Sequence, residues 1–228
     1  MASSTIKLTA ADGFEFSAYV AEPTGTPRGA VVVIQEIFGV NSHIRSVADG
    51  YAAQGYLAVA PGTFERVQKG VDLGYTGPDM QEGVRLKAAV EALPAPGVLQ
   101  DIQAAVSYAA KAGKVGIVGY CYGGLLVWRS AALVQGLSAA VEYYGGGATT
   151  EAEIARKPQV PVIAHFATQD DHISLESVDA LKKAHPEVPV YLYEAHHGFN
   201  CDQRGSYDAP SAKLALQRTL EFFGKHLG

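Results

Sequence analysis

Lys114-Val115-Gly116-Ile117-Val118-Gly119-Tyr120-Cys121-Tyr122-Gly123-Gly124 is the stretch on which the reading of this chain turns. Lys114 to Gly119 has the pattern of a short buried strand, and Leu125-Leu126-Val127-Trp128-Arg129-Ser130-Ala131-Ala132 that of a helix. A strand that turns sharply into a helix forces its apical residue into a cramped backbone conformation, so the flanking positions must be small. Gly119 and Gly123 meet that demand, and the apex, Cys121, is set up as an exposed nucleophile. The next amide, on Tyr122, would point from the helix N-terminus at an oxyanion, and the positive end of the helix dipole favours a thiolate. Two other readings fit the motif: a buried structural cysteine at a strand–helix contact, and a dinucleotide loop with Glu142 as ribose partner. The dinucleotide loop requires G-x-G-x-x-G opening a helix, and Tyr120 and Cys121 break that pattern.

Outward from this turn the chain alternates strand and helix. Thr5–Thr9 and Phe14–Ala21 alternate in polarity around Asp12-Gly13, which predicts an N-terminal hairpin. Strands are expected at Ala30–Gln35, Tyr56–Ala60, Leu137–Tyr144, Val160–Ala167 and Val188–Tyr193. Helices are expected at His43–Gln54, Met80–Leu93, Val98–Lys111, Leu175–Lys183 and Ser211–His226, with a loop after Thr63. This order predicts an α/β fold: a mostly parallel central sheet, covered by helices on both faces. In such sheets ligands bind beyond the carboxyl ends of the strands.

With 228 residues, 48% hydrophobic and 18% charged, the chain is expected to form a single domain over residues 1–228 rather than a disordered segment. A formal charge of −5 with no basic stripe argues against a nucleic-acid surface. The apolar runs, such as Ala30–Ile34, are too short to span a bilayer, and no signal-peptide pattern opens the chain. Two cysteines make no disulfide framework. The expectation is a cytoplasmic protein, monomeric or weakly homo-oligomeric, acting on a small molecule.

A cysteine nucleophile needs a base within hydrogen-bond reach and a group that orients the base. His197, just past a strand, is the candidate base, because Gly198 gives the backbone freedom to aim its ring into a cleft. Asp170, one step nearer its strand than Asp171, is the candidate orienter; Asp171 is expected to cap the helix that follows. His196 reads as a solvated loop residue and His165 as a hydrogen-bonded core histidine. The order Cys121, Asp170, His197 is the nucleophile–acid–histidine order of the α/β-hydrolases.

Four segments together resemble the dienelactone hydrolase family along nearly the whole chain: Gln35-Glu36-Ile37-Phe38-Gly39, Gly119-Tyr120-Cys121-Tyr122-Gly123-Gly124, Gln169-Asp170-Asp171-His172-Ile173 and His197-Gly198-Phe199. The resemblance implies an α/β-hydrolase fold, a Cys-His-Asp triad, hydrolysis of lactones or other esters, and neither metal nor cofactor. It implies that Glu36 keeps the cysteine protonated at rest and takes its proton once substrate binds, and that the Ile37 and Tyr122 amides hold the oxyanion. The family member that cleaves dienelactone anchors its substrate carboxylate with arginines. At one such position this chain carries Cys201, with Arg204 out of register; Arg85 is the candidate for the other, although an exposed helix arginine is the favoured reading of it. Loss of that arginine puts dienelactone itself in question and would leave Glu36 freer. Phe38, Tyr75 and Tyr144 are candidates to wall an apolar pocket. Two further readings predict different behaviour: a ligand-binding homologue without turnover, and a nucleotide-binding oxidoreductase.

Overall fold

The computed structural model describes residues 2–228. Eight strands form one sheet in the order β1-β2-β4-β3-β5-β6-β7-β8. β1 (Ala2–Thr9) and β2 (Glu15–Glu22) form the N-terminal antiparallel pair, and β2 is also antiparallel to β4 (Leu57–Pro61). β3 (Ala30–Ile34), β5 (Val115–Tyr120), β6 (Leu137–Tyr143), β7 (Val162–Ala167) and β8 (Val190–Tyr193) continue from β4 in parallel. Every residue of β3 and β5 is buried, as expected of central strands covered on both faces.

Two helical layers supply that cover. α1 (Ser42–Ala53) packs on β2, β3 and β4, and α7 (Ala209–Leu227) on β5, β6 and β7. The two meet where the Tyr51 and Phe223 rings lie 6.0 Å apart. On the opposite face α3 (Leu99–Ala109) packs on β1, β3 and β4, and α4 (Tyr122–Leu133) on β3, β5 and β6. α2 (Gly77–Glu91) starts with a reciprocal cap between Thr76 and Asp79 and follows the loop predicted after Thr63.

The predicted elements are present, with local differences. β7 and β8 begin later than expected, at Val162 and Val190, because Pro161 and Pro189 have no N–H to donate to a ladder. A four-residue α5 (Glu151–Ile154) is too short to leave a periodic signal. Ser174, not Asp171, caps α6 (Leu175–Ala184), accepting from the Ser177 amide at 3.2 Å. A serine hydroxyl there satisfies the orphan donor of the first turn.

Beneath the carboxyl end of the sheet lies a buried polar network. The Tyr143 hydroxyl pairs with Thr219 Oγ1 of α7 at 2.7 Å. His165 pairs with the same Thr219 at 3.1 Å and with the Tyr193 hydroxyl at 2.7 Å. Burial, reinforced by Arg218, drives the His165 pKa down to about 3, so it is a neutral core histidine, as expected.

Candidate active site

Five of the candidate residues lie just past the carboxyl ends of parallel strands: Glu36 after β3, Cys121 after β5, Tyr144 after β6, Asp170 after β7 and His197 after β8. Cys121 is the N-cap of α4 with φ 55° and ψ −116°, a conformation that costs a non-glycine residue roughly 1–3 kcal/mol. Its backbone is clamped there, the amide donating to Tyr143 O and the carbonyl accepting from Gly124 N, each at 3.0 Å. A Cβ on Gly119 would collide with the Gly123 carbonyl, and one on Gly123 with the Ile34 and Gln35 carbonyls, so only glycines let α4 start this close to β5 and β3. Tyr122, first residue of α4, has an amide with no intrahelical acceptor. Its side chain points elsewhere, the hydroxyl donating to Glu91 Oε1 at 2.7 Å.

His197 Nδ1 lies 2.8 Å from Asp170 Oδ2. The other oxygen of Asp170 accepts from the His172 and Ile173 amides at 2.8 and 3.1 Å. Burial acts to raise the Asp170 carboxyl, but the hydrogen bonds from His197 and the His172 amide hold it below the usual carboxylate range. Burial likewise opposes protonation of His197, yet Asp170 on one side and Cys121 on the other push its pKa up. The ring is pinned further by His172 at 4.9 Å and Tyr144 at 5.1 Å between centroids. His196 turns away, pairing with Gln169 O at 2.9 Å.

Glu36 is fully buried and held on both oxygens. Arg204 Nη1 lies 3.2 Å from Oε1, and the Tyr75 hydroxyl donates to Oε2 at 3.1 Å. Glu36 is therefore not left freer by the cysteine at position 201: an arginine seven residues past His197 reaches it. The route passes over Gly198, whose φ is +81° and where any Cβ would strike the Arg204 guanidinium. This pairing leaves no local pattern in the sequence because it depends on the path of a loop; an arginine a few residues past a histidine followed by glycine is its trace.

Phe38 and Tyr75 sit together beside Glu36, ring centroids 4.5 Å apart, with Arg204 5.8 Å over Phe38. Tyr144 is buried, has a positive φ of 38°, and its hydroxyl finds no hydrogen-bond partner among the described residues. Arg85 is not brought to this cluster. It is exposed on α2, paired with Glu82 at 2.6 Å and bonded to Gln68, because a partner one turn away on its own helix captures the guanidinium. Glu142 cannot serve a nucleotide ribose either. It is fully buried on β6, in register with Gly119, and burial pushes its pKa up to about 8. Cys201 is also buried and unbridged, with burial and Glu36 pushing its thiol up to about 12. Among groups that could hold a metal, Glu36, His43 and Cys201 bring ligand atoms within 4.8 Å of one another.

Residues 16–227 match the dienelactone hydrolase family. The chain belongs to that family. The dienelactone hydrolase family acts on lactone and ester bonds, and this chain is such a hydrolase. A carboxymethylenebutenolidase from Pseudomonas putida is 34% identical over 235 residues, spanning 97% of this chain and 96% of that protein. Its namesake from Pseudomonas knackmussii matches to the same extent. A Klebsiella pneumoniae structure assigned as a candidate dienelactone hydrolase superposes with a TM-score of 0.83 at 30% identity, covering 99% of this chain and 100% of that one. A dienelactone hydrolase-like promiscuous phosphotriesterase from metagenomic libraries shares the fold, with a TM-score of 0.80 at 21% identity and full coverage of both chains. Family membership and the burial of Glu142 together displace the oxidoreductase reading. No helix among the described residues is long and apolar enough to cross a membrane.

Proposed function

We propose that this dienelactone hydrolase-like protein cleaves lactones or small carboxylic esters through an acyl-enzyme on Cys121. The observation that carries this reading is the Asp170–His197 hydrogen bond of 2.8 Å beside a cysteine held at a strained strand–helix apex. The Cys121 sulfur attacks the carbonyl carbon as a thiolate, its proton held by His197 or, after release from Arg204, by Glu36. The carbonyl electrons move onto oxygen, which the Ile37 and Tyr122 amides receive. Collapse of that intermediate expels the alcohol, or opens the lactone, with the proton returned to the leaving oxygen. Water activated by His197 then cleaves the thioester, and Asp170 holds the ring in orientation throughout. Phe38, Tyr75 and Tyr144 wall the acyl group.

Substrates without a carboxylate suit this site best. Residue 201 is a cysteine, the Arg204 charge is committed to Glu36, and Arg85 is committed to Glu82. A cytoplasmic setting and a monomer or weak homo-oligomer form part of the same proposal, supported by two unbridged cysteines. Cys121→Ala is expected to lower turnover of an activated aryl ester by roughly 10³-fold or more while leaving the melting temperature nearly unchanged. Undiminished turnover by that variant would refute the assignment, and faster hydrolysis of carboxylate-bearing than of neutral lactones would refute the substrate class.

A further inference from the structure

His43 plays no part in the chemistry above, yet its ring is buried with one nitrogen unpaired among the described residues. It lies in the first turn of α1 and is 3% exposed. Its Nδ1 is 3.2 Å from Asp202 Oδ1, which places the ring proton on Nδ1 and leaves the lone pair on Nε2. That Nε2 is buried and has no hydrogen-bond partner among the described residues. An unsatisfied buried acceptor is costly, and in native structures such an atom calls for a partner, a water or an ion among them. Nε2 belongs to the cluster completed by Cys201 Sγ and a Glu36 carboxylate oxygen, all within 4.8 Å of one another and all on buried residues.

We propose that His43, Cys201 and Glu36 bind one divalent transition-metal ion of the zinc class. Three arguments support this beyond proximity. An imidazole, a thiolate and a carboxylate form the mixed set that selects zinc, cobalt or copper over magnesium or calcium. The Asp202–His43 contact is the carboxylate–histidine arrangement that orients metal-bound imidazoles. In such a site the bonds run about 2.0–2.3 Å, with water completing a tetrahedron. Charge is also balanced. Glu36, Asp202 and a Cys201 thiolate contribute three negative charges, and Arg204 with the dication contributes three positive ones.

His43 and Asp202 line a groove between α1 and the segment from Asn200 to Leu216. Binding requires the Cys201 S–H to give its proton to solvent as the metal–sulfur bond forms, so each bound ion releases one proton and affinity rises with pH. Occupancy also draws Glu36 toward the metal and away from Arg204 and Tyr75, and so inhibits turnover. That last consequence alone rests on the ester-hydrolase reading.

The test is a cobalt(II) titration of the full reduced protein in metal-free buffer, followed by absorption. The wild type is expected to take up one equivalent with a thiolate-to-cobalt charge-transfer band in the near ultraviolet. Cys121→Ser keeps the band; Cys201→Ser and Cys201→Ala lose it; His43→Gln weakens binding at least about 10-fold. Melting curves of the two residue-201 variants establish that they are folded. No band in the wild type, or a band lost with Cys121 and kept without Cys201, overturns the proposal. Cobalt binding by a protein that hydrolyses no ester would leave the metal site standing and defeat the hydrolase mechanism instead. Inhibition of ester turnover by zinc is expected in the wild type and relieved in Cys201→Ser.

Discussion

Asp170 has no free oxygen: one accepts two backbone amides and the other accepts from His197. The loop therefore fixes the carboxylate, and the carboxylate fixes the ring. Asp170→Asn keeps the loop bonds but offers His197 the wrong partner, and kcat is expected to fall roughly 10²–10⁴-fold, measured on an aryl ester. The same pair contributes stability that depends on pH. The Asp170 pKa is lowered, so its contribution is present above the usual carboxylate range and is lost as pH falls through its folded value. The His197 pKa is raised, to about 10, so its contribution is full below about 6.5 and fades toward 10. The destabilisation of Asp170→Asn relative to wild type is expected to peak near pH 5–6 and to shrink in stronger acid and in base. Arg204 presents a sharper case. Arg204→Met leaves the buried Glu36 carboxylate without its cation, an expected loss of roughly 3–5 kcal/mol in denaturant unfolding at pH 7. A loss smaller than about 1 kcal/mol would mean that the pair is not held as described.

β6 and α4 together bury a carboxyl group with no hydrogen-bond partner among the described residues. Glu142 alternates with Tyr143 along the strand. Tyr143 faces Thr219 of α7, so Glu142 faces α4, next to Gly119. Burial raises its pKa to about 8. Unfolding lets it ionise freely, so its cost to the fold begins near pH 4.5, grows with pH and levels off above about 8. Glu142→Met is expected to stabilise the protein, slightly at pH 5 and by roughly a few kcal/mol at pH 8, measured by denaturant unfolding at both values. A gain that does not grow with pH would show that the carboxyl is not buried as described. The strands themselves were legible because β3 and β5, Ala30 and Tyr120 apart, are runs of β-branched residues and glycine, and the elbow because its glycines, apex and helix are consecutive. Strand ends set by Pro161 and Pro189 required knowing which amides face a neighbour. In sequence Glu142 fits a strand-end ribose partner, since nothing local distinguishes a carboxyl beneath a helix from one facing a ligand.

On the scale of the molecule, the parallel sheet brings residues 36, 121, 144, 170 and 197 to one edge, and this is what chain order could forecast. Each loop starts where a strand stops, so the positions of Cys121, Asp170 and His197 follow from the alternation of elements. The contacts between loops do not. Arg204 on Glu36, Tyr75 on Glu36 and His43 beside Cys201 join segments up to 168 residues apart, and their register is set by packing around Gly198 and Asn41 rather than by any local pattern. All of these loops matter to function only if the cysteine at their centre carries the acyl group. Rapid-quench mass spectrometry of the protein mixed with an activated aryl ester measures that directly. The account predicts a transient adduct of one acyl mass on the peptide containing Cys121, formed in a burst and absent from Cys121→Ala. Steady hydrolysis with no adduct at residue 121, or an adduct on Cys201 instead, would contradict it.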